Sequence, residues 1–353
     1  MIKISLILAM LLSVSILTQS SYAASQNSTI PDSVKKNAKS WVNGQISDSD
    51  FLKVLQQLVN NGMLVLSTQS HISQSSTNTN QNCLSAPTAG INWSGCDLSG
   101  RILSGVNLSG ADLSGSTLKG VDLSKSDLSG ADLSGANLYG ADLEGANLQG
   151  TKFYGTNFMN ANLNGATLTD AKFAGADLNN ANLSGANLAF ESLVDVKLSG
   201  TNLSGADLSG ADLSRAYIAN AKLTDGRFYG TNFFAANLKG TDMSNSELAG
   251  ANFFNANLVG ANLASADLPD VNLSFADLTG ANLSDTSLVD SKLTWSKLVQ
   301  TKLEGSDLSG TDLSNADLTG TDLKGADLTA TKLDNAKLVN TIRQCLNNPI
   351  CLD

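Results

Sequence analysis

The repetitive middle of this 353-residue chain lacks the side chains on which most enzymatic catalysis depends. Residues 91–340 contain no histidine, no cysteine other than Cys96 and no phosphate-binding loop. Their carboxylates recur at regular spacing, so no isolated pair has the differing surroundings that separate an acid from a base. The one histidine, His71, lies in a polar segment, where such a side chain is usually solvated. We therefore predict that the protein is not an enzyme and holds no cofactor and no metal ion.

Positive charge is also in short supply. The chain has 22 lysines and arginines against 32 aspartates and glutamates, a formal net charge of −10. Proteins that bind nucleic acids need basic patches to neutralise phosphates, so this balance disfavours a nucleic acid partner. It suits solubility, a basic partner, or an acidic surface that imitates DNA.

What the chain has instead is one five-residue unit, repeated from residue 91 to residue 340. Every fifth residue from Trp93 to Leu338 is large and apolar, which gives fifty positions without an insertion. Two residues earlier stands a small side chain, the residue between them is usually Asp or Asn, and Gly often ends the unit. Apolar residues five apart would spiral around every face of an α-helix, so the period excludes a helical solenoid.

An extended backbone explains the order of residues within the unit. Alternate residues of a strand face the same side, so the small and the large residue point inward while Asp or Asn points outward. The last two residues must turn a corner, and Gly reaches the positive φ of a corner without steric cost. Each unit is therefore a very short strand and a bend, and only stacked coils can bury the apolar column.

This pattern resembles the pentapeptide-repeat family, whose consensus A(D/N)LxG is matched letter for letter by residues 131–135 (ADLSG). The resemblance implies an all-β solenoid, a right-handed quadrilateral parallel β-helix with twenty residues per coil and about 12 coils. Phe153 and Phe173 are twenty residues apart, as are Phe233 and Phe253, so both pairs would stack on one side. Some members of the family are thought to imitate DNA toward gyrase, and a DNA-mimic modulator of a DNA-handling enzyme is the alternative function.

The N-terminal residues predict export. Residues 1–23 are typical of a signal peptide, with Lys3 near the start, an apolar stretch, and small residues at a plausible cleavage site. An uncleaved membrane anchor is the alternative, although the apolar stretch is short for a membrane span. We predict a secreted or cell-envelope protein with no membrane span after cleavage.

Three further segments flank the repeats. Residues 31–66 predict a small helical module, and the segments 34–41 (VKKNAKSW) and 44–48 (GQISD) resemble a small module of exported archaeal proteins. Residues 67–90, rich in Ser, Thr, Asn and Gln, predict a flexible linker. Residues 341–353 abandon the repeat and predict a C-terminal cap.

Four cysteines suit an exported protein. Cys96 lies in the first coil and Cys345 beyond the last, and a rod of about 60 Å separates them, whereas a disulfide needs Cα atoms within about 7 Å. We predict the bridges Cys83–Cys96 and Cys345–Cys351, each clamping one end of the column. For Cys96, the alternative is an ordinary small buried residue.

Large aromatic side chains follow the inward positions on one side of four successive predicted coils. They form two pairs spaced twenty residues apart: Phe234 with Phe254, and Phe275 with Trp295. An exposed apolar strip usually marks a contact surface, so we predict that these four residues contact a protein partner or a second copy. Side chains that fold back over the wall are the alternative. On this basis the sequence predicts an exported, non-enzymatic rod that acts as a protein-interaction or cell-envelope scaffold.

The outward Asp and Asn positions predict columns of charge along the rod. The column from Asp127 to Asp327 is the most acidic, whereas two others alternate in sign toward the C-terminus: Asp277, Lys297, Asp317, Lys337 and Lys292, Asp312, Lys332. Exposed ion pairs contribute about 0–1 kcal/mol each, so we interpret these columns as register and solubility devices.

Two inward positions carry a charged residue, Arg101 and Glu191. Arg101 lies near the open end and is expected to turn outward. A buried, unpaired carboxylate at Glu191 would cost several kcal/mol, so we expect a local bulge or an outward twist there.

Overall fold

The computed structural model describes residues 83–352, so the predicted signal peptide (1–23), helical module (31–66) and most of the predicted linker lie outside the described residues. Within that range, the chain alternates single-residue parallel β-bridges with two-residue turns. The described residues also include a 3₁₀ turn, Pro349–Leu352.

The register of the bridges makes twenty residues one coil. The bridges run from Asn92–Asp112 to Asp322–Ile342 at a spacing of twenty, and all are parallel. The Trp93 N–H donates to the Asp112 carbonyl at 2.7 Å, and the Asp112 N–H donates to the Ile91 carbonyl at 2.9 Å. Because each coil satisfies the backbone groups of the next, strands too short to stand alone persist in the stack. The predicted right-handed quadrilateral parallel β-helix is confirmed.

The large inward residues from Trp93 to Leu328 are all buried and form the core. The ring centroids of Phe153 and Phe173 lie 5.3 Å apart, and those of Phe233 and Phe253 lie 4.8 Å apart. The second pair is nearly parallel, with an interplanar angle of 8°. Both predicted pairs therefore stack on one side, and the assignment of residues to sides is correct.

Hydroxyl side chains occupy some of the small inward positions without leaving unpaired polar atoms. The Thr151 Oγ1 donates to the Leu128 carbonyl at 2.9 Å, and the Ser116 Oγ donates to the Leu113 carbonyl at 2.6 Å. A carbonyl has two lone pairs, so it can accept this bond besides its backbone bond. Ser and Thr can therefore replace Ala in the buried column.

The corners adopt the left-handed backbone conformation that the glycines predict. Where Gly is missing, Asn and Asp often take its place, as at Asn160 and Asp270, with φ of 60° and 57°. The outward Asp or Asn also supports the turn: the Asp97 Oδ1 accepts the Ser99 N–H at 3.0 Å. The outward Asp or Asn and the corner residue of each unit thus both stabilise the turn.

A disulfide lies at the N-terminal end of the rod. Cys83 and Cys96 are joined, with their Cα atoms 5.6 Å apart. Cys96 is also buried, so it combines the predicted bridge with the alternative of a small core residue. The Gly90 N–H donates to the Ser109 carbonyl at 2.8 Å, which ties the last residue of the predicted linker to the coils.

At the C-terminal end, residues 341–352 of the predicted cap follow the last repeat unit. Ile342 still pairs with Asp322 at a spacing of twenty, but Leu346 pairs with Asp327 at a spacing of nineteen. Beyond that point, the Cys345–Cys351 bridge holds the last turn, with Cα atoms 5.0 Å apart. The final inward leucines, Leu333 and Leu338, are only half-buried, so the cap covers this end in part.

Candidate functional site

The four predicted contact residues form one continuous row of rings, which we call the aromatic ladder (Phe234, Phe254, Phe275 and Trp295). Phe234 and Phe254 stack at 5.8 Å with 6° between their planes, and Phe275 and Trp295 stack at 6.3 Å with 4° between theirs. Phe254 and Phe275 lie 5.3 Å apart at an angle of 53°. The ladder therefore spans four successive coils without a gap.

Two different backbone positions supply the rings. Phe234 and Phe254 directly follow an inward residue, and their N–H groups donate to the Asn232 and Asn252 side chains, each at 3.2 Å. Phe275 and Trp295 stand one residue later, at the corner, with φ of 63° and 60°. A positive φ is uncommon for an aromatic residue, and here the regular coil imposes it. The rings are thus presented on a rigid backbone.

The ladder is exposed along its length. Phe234, Phe275 and Trp295 are 40%, 50% and 57% exposed, and Phe254 in the middle is partly covered. Because neighbouring rings stack, each ring covers one face of its partner within each pair. Ser274, between the two stacked pairs, is buried. The arrangement is an apolar strip of rings.

Uncharged amides border the strip on its own side of the rod. The Asn272 Nδ2 donates to the Asn252 Oδ1 at 3.2 Å, the Asn252 Nδ2 donates to the Asn232 Oδ1 at 3.0 Å, and the Asn232 Nδ2 donates to the Asp212 Oδ1 at 2.9 Å. We call this row the amide ladder (Asn232, Asn252 and Asn272). Its amides are already hydrogen-bonded to each other, so a partner that covers this border need not bury unpaired polar groups.

The sequence predicts both stacked pairs but not the contact that joins them. Phe254 and Phe275 are twenty-one residues apart, so a strict twenty-residue rule leaves them unpaired. The tilt between the rings closes that offset. Other exposed aromatic residues are not among the predicted contact sites, and they include Phe190, Tyr217 and Tyr229. The Tyr229 hydroxyl donates to the Glu247 carboxylate at 2.5 Å, which holds that ring to the rod.

The predicted charge columns are present as ion pairs between successive coils. Lys297 lies 3.3 Å from Asp277, and Lys337 lies 3.0 Å from Asp317. In the most acidic column, Arg227 lies 3.6 Å from Asp207. All these groups are partly exposed, so their contribution to stability is small.

Hydrogen bonds within the turns also tune the carboxylates. The Ser99 hydroxyl and N–H lower the pKa of Asp97, and the same two groups of Ser314 lower the pKa of Asp312. A carboxylate that accepts such bonds is favoured in its charged form. The carboxylates of Asp97 and Asp312 therefore support their turns in the charged form.

The two charged inward residues behave differently from each other. The Arg101 guanidinium lies 6.0 Å from the centre of the Trp93 ring, at the edge of the first coil, as expected for a side chain that leaves the core. Glu191 remains buried, with 6% exposure, so the expected outward twist is wrong. The other expectation, a local bulge, agrees with the missing bridge between Lys172 and Ser192. Its carboxylate instead accepts the Asp170 N–H, and burial is the main cause that raises its pKa.

Neither a metal cluster nor a membrane-spanning helix is found in the part of the chain that the structure describes. Between residues 83 and 352, no group of three or more His, Cys, Asp or Glu side chains is placed to hold a metal ion. No helix within this described range is long and apolar enough to span a membrane.

The coil geometry agrees with the comparison against protein families. The family model described as Pentapeptide repeats (8 copies) matches the chain in overlapping segments from residue 92 to residue 342, interrupted only at residue 191. Comparison with curated proteins finds no match.

Several solved structures are similar to this chain. HetL, a pentapeptide repeat protein involved in heterocyst differentiation regulation from the cyanobacterium Nostoc sp. strain PCC 7120, is 28% identical, with 64% of this chain and 90% of that chain covered and a TM-score of 0.29. QnrB1, a plasmid-mediated fluoroquinolone resistance protein, is 20% identical, with 68% and 90% covered and a TM-score of 0.31. Rfr23, from the cyanobacterium Cyanothece 51142, is 28% identical, with 30% and 64% covered and a TM-score of 0.16. Because the family model covers more than half of the sequence and every coil repeats its unit, the chain belongs to the pentapeptide-repeat family.

Proposed function

We propose that this protein is an exported, non-enzymatic rod that acts as a protein-interaction or cell-envelope scaffold, and that the aromatic ladder is its contact surface. The observation that carries the proposal is that four partly exposed rings form one continuous row across four successive coils. Contiguous exposed apolar patches usually mark interaction sites.

A rigid presentation favours binding. Each ring stands on a coil whose backbone is hydrogen-bonded to the next, as in the bond from the Ala235 N–H to the Phe254 carbonyl. A partner therefore finds the rings already in place, and little conformational entropy is lost on contact. Large aromatic residues also dominate the binding energy of many interfaces.

The geometry of the rings indicates which kind of partner fits. Sugar rings stack on the open faces of aromatic side chains, but here Phe234 and Phe254 cover each other's inner faces, as do Phe275 and Trp295. Ring edges suit a narrow apolar surface of another protein. Three coil spacings of about 4.8 Å make the strip about 14 Å long, which matches a short apolar segment rather than a large flat interface.

Export is supported by the ends of the chain. Residues 1–23 have the pattern of a signal peptide, and the cysteines at both ends of the rod lie in pairs, at 83 and 96 and at 345 and 351. Disulfides persist mainly in oxidising compartments outside the cytoplasm.

The test combines localisation with capture. Cell fractionation is expected to find a processed chain outside the cytoplasm. The mature rod is immobilised and incubated with envelope extract, from which it is expected to retain a partner. The double variant Phe254→Ser, Trp295→Ser should bind that partner at least about tenfold more weakly, which corresponds to about 1.4 kcal/mol. Both side chains are exposed in part, so the variant should fold, as circular dichroism can verify.

A matched control removes two exposed aromatic residues elsewhere on the rod. The variant Tyr139→Ser, Tyr154→Ser should bind the partner like the wild type, because neither ring belongs to the ladder. If both double variants bind equally well, the aromatic ladder is not the contact surface. An unprocessed chain in the cytoplasm would refute the proposed export.

Mimicry of DNA toward a DNA-handling enzyme is the alternative. It requires a long acidic surface, and the column from Asp127 to Asp327 is the best candidate for one. Arg227 interrupts that column and lies 3.6 Å from Asp207, which weakens the negative potential at its centre. Inhibition or protection of gyrase by the purified rod, together with a cytoplasmic location, would favour this alternative over the scaffold.

A further inference from the structure

One junction between coils differs from all the others that the structure describes. The series of bridges is continuous from Asn92–Asp112 to the last coil except between Lys172 and Ser192, where the bridge is missing. The neighbouring bridge from Asp177 to Lys197 is retained, but its hydrogen bond from the Lys197 N–H to the Ala176 carbonyl is stretched to 3.4 Å. The coils are therefore separated locally along part of their circumference.

The preceding junction shows what a regular contact looks like. There the Gly150 N–H donates to the Thr169 carbonyl at 2.9 Å, and the Phe153 N–H donates to the Lys172 carbonyl at 2.7 Å. The equivalent donors one coil later are Asp170 and Phe173. The Asp170 N–H does not reach the backbone of the next coil and donates to a side chain instead.

That side chain belongs to Glu191. It occupies an inward position that is otherwise taken by a small residue, between Ala171 and Ala211 in the stack, and it is 6% exposed. Its Oε1 accepts the Asp170 N–H at 2.5 Å, in place of the Ala189 carbonyl that the regular pattern would use. The carboxylate is thus inserted into the hydrogen-bond ladder between two coils.

The opposite face of the same coil is intact. The Phe190 N–H donates to the Ser209 carbonyl at 2.9 Å, and the Asp212 N–H donates to the Glu191 carbonyl at 3.0 Å. The disturbance therefore lies only on the side toward the N-terminus. The family match leaves out the same residue, 191, where the sequence has Glu in place of the small residue of the unit.

Charged groups that act on the carboxylate come from the preceding coil, which carries Lys172 and Asp170. On the following coil, Asp212 pairs with Glu191 through its backbone N–H. Burial disfavours the charged form of Glu191, and the charge of Asp170 acts in the same direction. The Asp170 N–H and the charge of Lys172 favour the charged form, but burial outweighs them, so the pKa of Glu191 is raised.

We propose that Glu191 makes this junction a pH-responsive joint in the rod, held open by the carboxylate and closed when the carboxyl group takes up a proton. A neutral carboxyl is a weaker acceptor, so protonation releases the Asp170 N–H to the carbonyl of Ala189 and allows Lys172 and Ser192 to pair. The joint divides the rod into a segment before residue 181 and a segment after it, which carries the aromatic ladder.

The direction of the effect follows from the contacts of the carboxylate. The charged form accepts the Asp170 N–H in the open junction and loses that bond in the closed one, so the proton binds more tightly in the closed junction, which low pH therefore favours. That stabilisation is lost as the pH rises through the folded pKa, above the ordinary value of 4.5. The junction in the structure, where Glu191 accepts the Asp170 N–H and Lys172 and Ser192 are not paired, is the open form.

Hydrogen exchange of the full chain, followed by mass spectrometry, tests the joint. After correction for intrinsic rates, amides of residues 167–176 are expected to exchange at least about tenfold faster at neutral pH than amides of residues 147–156 in the preceding coil. Lowering the pH toward 5 should reduce that ratio, because the junction closes. Equal protection of the two segments at neutral pH would overturn the proposal.

Two substitutions separate charge from size. Glu191→Ala restores the residue type of Ala171 and Ala211 and should remove the excess exchange at every pH. Glu191→Gln keeps the size and the acceptor but cannot titrate, so its exchange ratio should not vary with pH. A pH-dependent ratio that persists in the Gln variant would assign the effect to another group and refute the role of Glu191.

A transplant provides the matched control. Ala211→Glu places the same carboxylate one coil later, at a junction that is intact, and should open the contact between Phe190 and Ser209. If this variant exchanges like the wild type around residue 190, a buried carboxylate at this position does not suffice to open a junction, and the proposal fails.

Discussion

Replacing Gly226 with alanine is expected to destabilise the rod, although alanine is the commonest residue at that inward position. A Cβ added to Gly226 would lie 2.6 Å and 2.8 Å from two ring carbons of Phe228 and 3.2 Å from the Leu223 carbonyl oxygen. Phe228 is fully buried, and the Phe233 ring lies 6.0 Å from it, so the ring has little room to move. Overpacking of this kind costs about 1–3 kcal/mol.

The backbone itself does not require glycine here. Gly226 lies outside the left-handed region, so alanine without the clash would stabilise the fold by about 0.4–1 kcal/mol through the unfolded chain. The expected sign of the single substitution therefore depends mainly on Phe228, whose ring carbons lie closer to the added Cβ than the Leu223 carbonyl oxygen does. In a Phe228→Leu background, which restores the residue type of most inward positions, Gly226→Ala should become neutral or stabilising.

A double-mutant cycle in urea measures this coupling. The four proteins should give an interaction energy of at least about 1 kcal/mol between the two sites, favouring the double variant, with similar m-values throughout. If Gly226→Ala alone is neutral or stabilising, or if the two effects simply add, then the ring of Phe228 does not fill the space of the missing Cβ.

Two further predictions concern acid and the ends of the rod. Hydrogen bonds lower the pKa of Asp97 and Asp312, so the stability they provide above the ordinary value of 3.8 is lost as the pH falls through their folded pKa values. The urea concentration at the unfolding midpoint should therefore decrease once the pH is below about 4, and it should decrease less steeply in Ser314→Ala. A midpoint that stays constant down to about pH 2.5 would contradict this. The Cys83–Cys96 bridge closes a sequence separation of 13 and the Cys345–Cys351 bridge one of 6. Loss of a disulfide typically lowers the free energy of unfolding by about 2–4 kcal/mol, and Cys83→Ser should lower it more than Cys345→Ser. A lower urea midpoint for Cys345→Ser than for Cys83→Ser would be evidence against a loop-entropy origin.

The fold could be predicted from the sequence because a single rule is repeated. A five-residue period excludes helices, and the separation of Phe153 and Phe173 by twenty residues indicates the length of the coil in which these rings stack. Once the coil is known, each outward residue has a known neighbour twenty residues away. The ion pair of Lys337 and Asp317 follows from that arithmetic alone.

What could not be predicted arises where neighbouring units differ from the rule. The clash at Gly226 depends on which way the Phe228 ring turns, and the ring's direction is not a property of the period. The same holds for the joined aromatic ladder, where a tilt of 53° brings Phe254 to Phe275 across an offset of one residue. The repeat marks Glu191 as an exception, but the pattern alone does not reveal that its side chain stays inside and captures a backbone N–H.

The outward Asn and Asp positions, which look interchangeable in the repeat, carry a direction. In the amide ladder each Asn donates its Nδ2 toward the preceding coil, and the last donor meets the Asp212 carboxylate. A second row from Asn202 through Asn182 and Asn162 also ends on a carboxylate, that of Asp142.

The residues one coil beyond the other ends of these rows are Lys292 and Lys222. Aligned amides form a dipole that is positive at its donor end and negative at its acceptor end. A carboxylate at the donor end and an ammonium group beyond the acceptor end therefore both match this dipole. An Asp in the middle of a row can accept but not donate, and it would face an amide oxygen of the preceding coil. The choice between Asn and Asp at each unit therefore fixes the direction of the side-chain hydrogen bonds along the rod. It also keeps the strip uncharged beside Phe234, Phe254 and Phe275, up to Lys292 in the unit of Trp295.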